Sequence, residues 1–149
     1  MELDKEKLKN FDKLPPDVRR QFSLLMNRYA EKKKQSKIKK DFMAFVKHVW
    51  PDFIEGKHHK EVAQKFNEIA DGKIKRVIIN MAPRHTKSEF ASYLLPAWMV
   101  GRNPKLKIIQ STNTTELSVR FGRKAKALMD SAEYKEVFQT RLKEDSQAA

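Results

Sequence analysis

The hydrophobic pattern of this chain changes character after Gly72. Before that residue, apolar side chains recur at the spacing of amphipathic helices. After it, two short runs rich in β-branched residues, 76–81 and 106–112, are typical of buried strands. The pattern therefore predicts an α/β fold, in which an N-terminal helical lobe (residues 1–72) precedes a partial core built on a parallel sheet (residues 73–149).

Local signals give approximate bounds for the helices. Asp41 is a predicted N-cap, and Trp50-Pro51 is a predicted helix end because the residue before a proline disfavours the α conformation. The basic run 31–40 is interpreted as a frayed helix end or a linker. The predicted helices are 2–13, Asp17 through Tyr29, 42–49, 57–70, one from Lys87 that ends or kinks at Pro96, one from Thr114 or Thr115 to Met129, and 132–138.

Composition excludes several classes of protein. The 149 residues carry a net charge of +13, and they include no Cys, which rules out disulfides, cysteine-bound zinc and thiol catalysis. No apolar run approaches the roughly 18 residues that a membrane span needs. The basic charge indicates an anionic partner, most often nucleic acid. Its densest runs, 28–40 and 120–126, are either solvated helix faces or phosphate contacts.

The segment with the most specific chemistry is the loop between the first predicted strand and the following helix. It ends in Lys87-Ser88, the pair that closes phosphate-binding loops at a helix start. Backbone N–H groups of such a loop and of the first helical turn point at phosphate oxygens. Lys87 would reach the β- and γ-phosphates of a nucleotide, and the Ser88 hydroxyl would bind Mg²⁺.

The loop departs from the usual phosphate-loop pattern at two positions. That pattern places glycine at positions 81 and 86, where this chain has Met81 and Thr86. Glycine is favoured there because it tolerates positive φ, whereas a β-branched residue is strained. The loop must therefore either differ in conformation or accept strain at Thr86.

Several blocks in order resemble one protein family. The run 79–109 closely resembles the ATPase core of the large terminase subunits of tailed bacteriophages, and weaker likeness extends over about residues 40–149. The matching blocks are Pro83-Arg84-His85-Thr86-Lys87-Ser88, Pro96-Ala97-Trp98 and Gly101-Arg102-Asn103-Pro104, with Trp50-Pro51, Gly56, His58, Phe121-Gly122-Arg123 and 142–149 as weaker ones.

This resemblance implies the start of a P-loop NTPase of the ASCE type, with ATP and Mg²⁺ as cofactors. In such a protein Lys87 and Arg84 act in catalysis, Arg84 by sensing or stabilising the γ-phosphate, and Ser88 is the metal ligand. His58 and His59 precede a helix where related ATPases contact adenine, with a surface or capping histidine as the alternative for each, and Gln64 is a weaker candidate on the same helix. The implied nucleotide-binding residues are Pro83, Arg84, His85, Thr86, Lys87, Ser88, Glu89 and His58.

The resemblance also implies a role and its partners. The family packages double-stranded DNA into procapsids by ATP hydrolysis and cuts it with a nuclease domain. The implied partners are double-stranded DNA, the portal protein, the small terminase subunit and other copies in a ring. No membrane is implied, and the implied location is the host cytoplasm, docked on the procapsid portal.

The acidic residues that such an engine needs are not found after residue 88. No strand-like run ends in an acid that would hold Mg²⁺, and no nuclease carboxylate cluster follows. The chain is therefore expected to be the N-terminal part of a longer protein, to bind nucleotide weakly, and not to turn it over alone. Two alternatives stay open: a small basic DNA-binding or regulatory protein without nucleotide turnover, and another P-loop enzyme such as a helicase or recombinase.

Overall fold

The computed structural model describes residues 15–141, and every regular element in that range is helical. Of these residues, 15–36 belong to one compact unit and 37–141 to another. The predicted helix 2–13 and the tail 142–149 lie outside the described residues. The elements are α1 (Pro16–Lys40), α2 (Phe42–Val49), α3 (Lys57–Ala70), α4 (Lys87–Glu89), a π-helical segment (Phe90–Leu94), α5 (Leu95–Arg102), α6 (Thr115–Asp130) and α7 (Ala132–Val137).

The prediction of a parallel sheet is wrong, and so is the prediction that this sheet begins an ASCE-type P-loop core. Residues 15–141 contain no β-strand, and the segments 76–81 and 106–112 have no regular secondary structure. A strand forms only when a neighbouring segment completes its ladder of hydrogen bonds. The β-branched composition of these segments favours a pleated, half-buried surface, but it does not supply a partner. Ile78 and Ile109 are consequently 90% and 97% exposed.

Several of the helix predictions are confirmed. Asp41 is confirmed as the N-cap of α2, where its carboxylate accepts hydrogen bonds from the backbone N–H groups of Met43 and Ala44. The predicted helix 57–70 coincides with α3, and the helix predicted to begin at Thr114 or Thr115 is α6, which Thr114 caps. The interpretation of residues 31–40 as a frayed end or linker is wrong, because α1 continues through them to Lys40.

An aromatic cluster forms the core of the unit made by residues 37–141. Phe42 lies at its centre, and its ring makes edge-to-face contacts with Phe66, Phe90 and Trp98 at centroid distances of 5.1, 5.5 and 5.5 Å. These side chains come from α2, α3, the π-helical segment and α5, so one residue joins four elements. Edge-to-face geometry adds about 0.5–1.5 kcal/mol per pair beyond the area that the rings bury.

The helix that follows the loop does not end at Pro96, which was one of the two predicted outcomes (an end or a kink), but continues past the proline. A proline inside an α-helix lacks one donor, and its ring clashes with the carbonyl four residues earlier. Here the wider π-helical turn precedes Pro96, and the Leu95 N–H bonds the Phe90 carbonyl five residues back. The π-helical segment thus rearranges the backbone where the clash would occur, and the helix continues to Arg102.

Candidate functional site

The loop 82–86 leads directly into α4, and two of its residues are left-handed. Arg84 has φ 64°, and Thr86 has φ 58° with ψ 10°. Thr86 therefore adopts the conformation for which the phosphate-loop pattern uses glycine. Of the two alternatives drawn from the sequence, the chain accepts the strain, which costs about 1–3 kcal/mol for a residue in a sparsely populated region.

This backbone has the features of an anion-binding turn. A left-handed residue followed by a right-handed one turns successive N–H groups towards a common concavity. Thr86 and Lys87 form such a pair, because Lys87 opens the helix and the Phe90 N–H donates to the Thr86 carbonyl at 2.9 Å. The first N–H groups of a helix have no partner within the helix, so they too are available to an anion.

The predicted phosphate-binding side chains are accessible at this turn. Lys87 is exposed, and its Nζ donates to the carbonyl oxygen of Met81 at 3.3 Å, across the loop. Ser88, the predicted Mg²⁺ ligand, is exposed in the first helical turn. Pro83, Arg84 and His85 are exposed on the loop, which His85 closes by a 2.9 Å hydrogen bond between its Nδ1 and the Pro83 carbonyl.

Glu89 has a different neighbour. Both of its carboxylate oxygens accept hydrogen bonds from the Nζ of Lys124 on α6, each at 3.0 Å. The same Nζ lies 5.2 Å from the centre of the Tyr93 ring. Burial raises the pKa of Tyr93 to about 12, and the charge of Glu89 acts in the same direction. Lys124, from the basic run 120–126, is therefore held in an ion pair that links α6 to the start of the helix after the loop.

The structure brings the predicted His58 to the loop. Its ring centre lies 5.4 Å from that of His85, and its Nε2 lies 2.9 Å from the Nε2 of His59. The resemblance placed His59 beside His58 in the region where related ATPases contact adenine, and it implied no contact of His59 with the loop. The structure buries its side chain, with 7% of the residue exposed, and places its Nε2 2.7 Å from the hydroxyl oxygen of Thr86.

No signal in the sequence identifies this contact. His59 and Thr86 are 27 residues apart, and only the packing of α3 beside the loop joins them. Burial lowers the pKa of His59, and the positive charge that His58 can carry lowers it further. His59 is therefore held in its neutral form more strongly than a solvated histidine.

An open groove of about 560 Å³ lies beside the loop. One wall is α3, with His58, Val62 and Gln64, and the other is the irregular segment 77–81. Gln64, the weaker adenine candidate, is exposed and donates to Glu68 on its own helix at 3.4 Å. The groove is large enough for a nucleoside-sized ligand.

Residues 15–141 show neither a metal-ligand cluster nor a membrane-spanning helix. Within that range, no three side chains of the His, Asp or Glu type are grouped to hold a metal ion. None of the helices in the same range has the length and apolar character to cross a bilayer. Comparisons with protein families, curated proteins and solved structures found no match to this chain.

Proposed function

We propose that residues 83–88 bind the phosphates of ATP together with Mg²⁺, and that the chain is an N-terminal ATPase fragment of a phage terminase large subunit, the motor that packages double-stranded DNA. One observation carries the proposal. Thr86 takes the left-handed conformation of a phosphate-loop glycine immediately before Lys87-Ser88 at a helix start. A strained backbone at a β-branched residue has a cost, and such strain concentrates where a chain binds ligands.

The surrounding residues support specific roles. Lys87 would exchange its hydrogen bond with the Met81 carbonyl for the β- and γ-phosphates, and Ser88 would contribute a hydroxyl to Mg²⁺. Arg84 is exposed on the same loop, and its planar guanidinium suits phosphate oxygens. His58 borders both the loop and the groove along α3, where a base would lie.

Titration calorimetry with ATP in the presence of Mg²⁺ tests the proposal. We expect weak binding, no turnover, and loss of binding in Lys87→Ala. Lys105→Ala is a matched control, because Lys105 is an exposed lysine in the turn after α5 and lies outside the loop. Ser88→Ala should weaken ATP binding in Mg²⁺ and leave binding in EDTA unchanged. Equal affinities of wild type, Lys87→Ala and Lys105→Ala would contradict a phosphate site at this loop.

A second candidate function has its own support. All seven Lys and Arg side chains between residues 28 and 40 are exposed on α1: Arg28, Lys32, Lys33, Lys34, Lys37, Lys39 and Lys40. A run of exposed basic residues of this kind fits a DNA-binding or regulatory protein without nucleotide turnover. Its signature would be binding of duplex DNA that weakens steeply with salt, unaffected by Lys87→Ala and reduced by replacement of Lys32, Lys33 and Lys34.

A further inference from the structure

The hydroxyl of Thr86 lies in a short hydrogen-bonded relay. The His59 Nδ1 accepts a hydrogen bond from the Gly56 N–H at 2.9 Å, so in the neutral ring the proton is on Nε2. That Nε2–H faces two acceptors, the Thr86 hydroxyl oxygen at 2.7 Å and the Nε2 of His58 at 2.9 Å, of which Thr86 is the nearer. The Thr86 hydroxyl donates in turn to the His85 carbonyl at 2.7 Å. The His59 Nδ1 thus accepts, its Nε2 donates, and the Thr86 hydroxyl both accepts and donates.

His59 is itself held firmly by its surroundings. Its ring packs against Phe53 at a centroid distance of 4.8 Å and against Phe90 at 5.3 Å. Phe90 belongs to the helical segment that follows the loop, and Gly56 is the N-cap of α3. The ring therefore contacts the start of α3 and the helix after the loop, and it presents its Nε2 to the left-handed Thr86.

We propose that His59 is a positioning residue, which holds Thr86 in its left-handed conformation and so keeps the loop ready to bind phosphate. The inference rests on the proposed function for its ligand. A glycine at this position would need no such support, because it occupies the left-handed region without strain. Thr86 needs it, and the hydroxyl that distinguishes it from valine is the atom that His59 binds.

Protonation of His59 would remove this support. A second proton must go to Nδ1, where it would face the Gly56 N–H and break the hydrogen bond that orients the ring. The titratable groups that face the ring are His58, His85 and Glu55. Burial opposes a second proton most strongly and the two histidines oppose it further, whereas the His85 backbone and Glu55 favour it, so the pKa of His59 is lowered. The loop should therefore loosen only below the ordinary titration range of histidine.

Two substitutions of His59 distinguish the contributions of its two ring nitrogens. The amide of asparagine overlays Nδ1, so His59→Asn retains the acceptor for Gly56 and loses the donor to Thr86. The amide of glutamine overlays Nε2, so His59→Gln retains the donor to Thr86. We expect ATP or pyrophosphate in Mg²⁺ to bind about three- to tenfold more weakly to His59→Asn, as the loss of one hydrogen bond predicts, and His59→Gln to bind nearly as wild type does.

A double-mutant cycle makes the test specific. In a Thr86→Gly background, His59→Asn should have no further effect on binding, because the hydroxyl and the strain are both gone. Thr86→Val keeps the β-branched shape without the hydroxyl, and it should weaken binding as His59→Asn does. Equal losses in His59→Asn and His59→Gln, or an unchanged effect of His59→Asn in the glycine background, would overturn the positioning role.

Amide hydrogen exchange of Lys87 and Ser88 in the free protein gives a readout without ligand. His59→Asn and Thr86→Val should accelerate this exchange, and His59→Gln should not. If neither ATP nor pyrophosphate binds the wild type, the proposed function fails while the exchange rates still decide the role of His59. Exchange that is identical in all variants would overturn the inference even if ATP binds.

Discussion

Gly101 lies directly against the ring of Phe138. A Cβ atom built on Gly101 would come within 2.6 Å of that ring and 2.7 Å of the Tyr134 hydroxyl oxygen. Both aromatic side chains are fully buried, and the Tyr134 hydroxyl donates to the carbonyl of Ala97 at 2.9 Å. The contact lets Tyr134 of α7 and Phe138 pack against α5, and no side chain larger than hydrogen fits there.

Gly101→Ala should therefore destabilise the protein. Overpacking a buried site costs about 1–3 kcal/mol, which outweighs the roughly 1 kcal/mol that alanine gains over glycine in a helix. Gly122→Ala is the matched control, because Gly122 lies within α6 and a Cβ atom there meets nothing within 4 Å. That control should stabilise by about 0.5–1 kcal/mol. Urea unfolding measures both, and two changes of the same sign would contradict the packing described.

The N-cap of α2 gives a second prediction. Asp41 accepts hydrogen bonds from two backbone N–H groups and from the Nδ2 of Asn67, whose Oδ1 accepts from the Phe42 N–H at 2.8 Å. Asp41→Ala should lower the free energy of unfolding by about 1–2 kcal/mol or slightly more, since Asn67 also loses a partner. Asp41→Asn retains a capping oxygen and should lose less than half as much. Equal losses in thermal or urea unfolding would argue against capping.

The lowered pKa of His59 gives a third prediction, for pH dependence. The folded state favours the neutral ring, while in the unfolded chain histidine titrates near its ordinary pKa of about 6.5. The stabilising contribution is therefore full above that value and is lost as the pH falls through it towards the lowered pKa. The difference in unfolding free energy between wild type and His59→Gln should shrink as the pH is lowered from about 8 to about 5. A difference in unfolding free energy that stays constant between about pH 8 and about pH 5 would contradict a lowered pKa of His59.

The exposed isoleucines of the segments 76–81 and 106–112 give a fourth prediction. Ile78 and Ile109 lie in β-branched runs whose peptide groups form no sheet within residues 15–141. Such segments associate readily with other chains. The double variant Ile78→Thr/Ile109→Thr should therefore reduce concentration-dependent association in sedimentation velocity. Ile54→Thr, at a site 87% exposed in the loop between α2 and α3, is the control and should leave association unchanged.

The parts of the fold that the sequence predicted are those that local physics decides. The Asp41 cap depends on neighbouring residues, and α3 depends on the spacing of its own apolar side chains. The predictions of strands at 76–81 and 106–112 were wrong because a strand needs a neighbouring strand to pair with, and composition does not encode that neighbour. The continuation of the helix past Pro96 was not predicted, because it depends on the π-helical segment before the proline, in which Phe90 and Leu94 are buried in the core.

The candidate site likewise has features that the sequence predicted and contacts that it did not. Lys87 and Ser88 are found at a helix start after a loop, as their spacing predicts, and Thr86 follows one of the two alternatives that its β-branched side chain left open. The partners of Glu89 and Thr86 were not predictable. Lys124 lies 35 residues from Glu89 and His59 lies 27 residues from Thr86, and each pair meets only through the packing of helices.

The central position of Trp98 gives this chain an internal optical probe. Its indole is fully buried against Phe42, its Nε1 donates to the Ile38 carbonyl at 3.0 Å, and the Arg102 guanidinium lies 4.7 Å from its ring centre. The other tryptophan, Trp50, is only partly buried. Iodide should quench the emission of Trp50 while sparing the blue-shifted emission of Trp98, so fluorescence alone distinguishes an intact aromatic core from one that has opened.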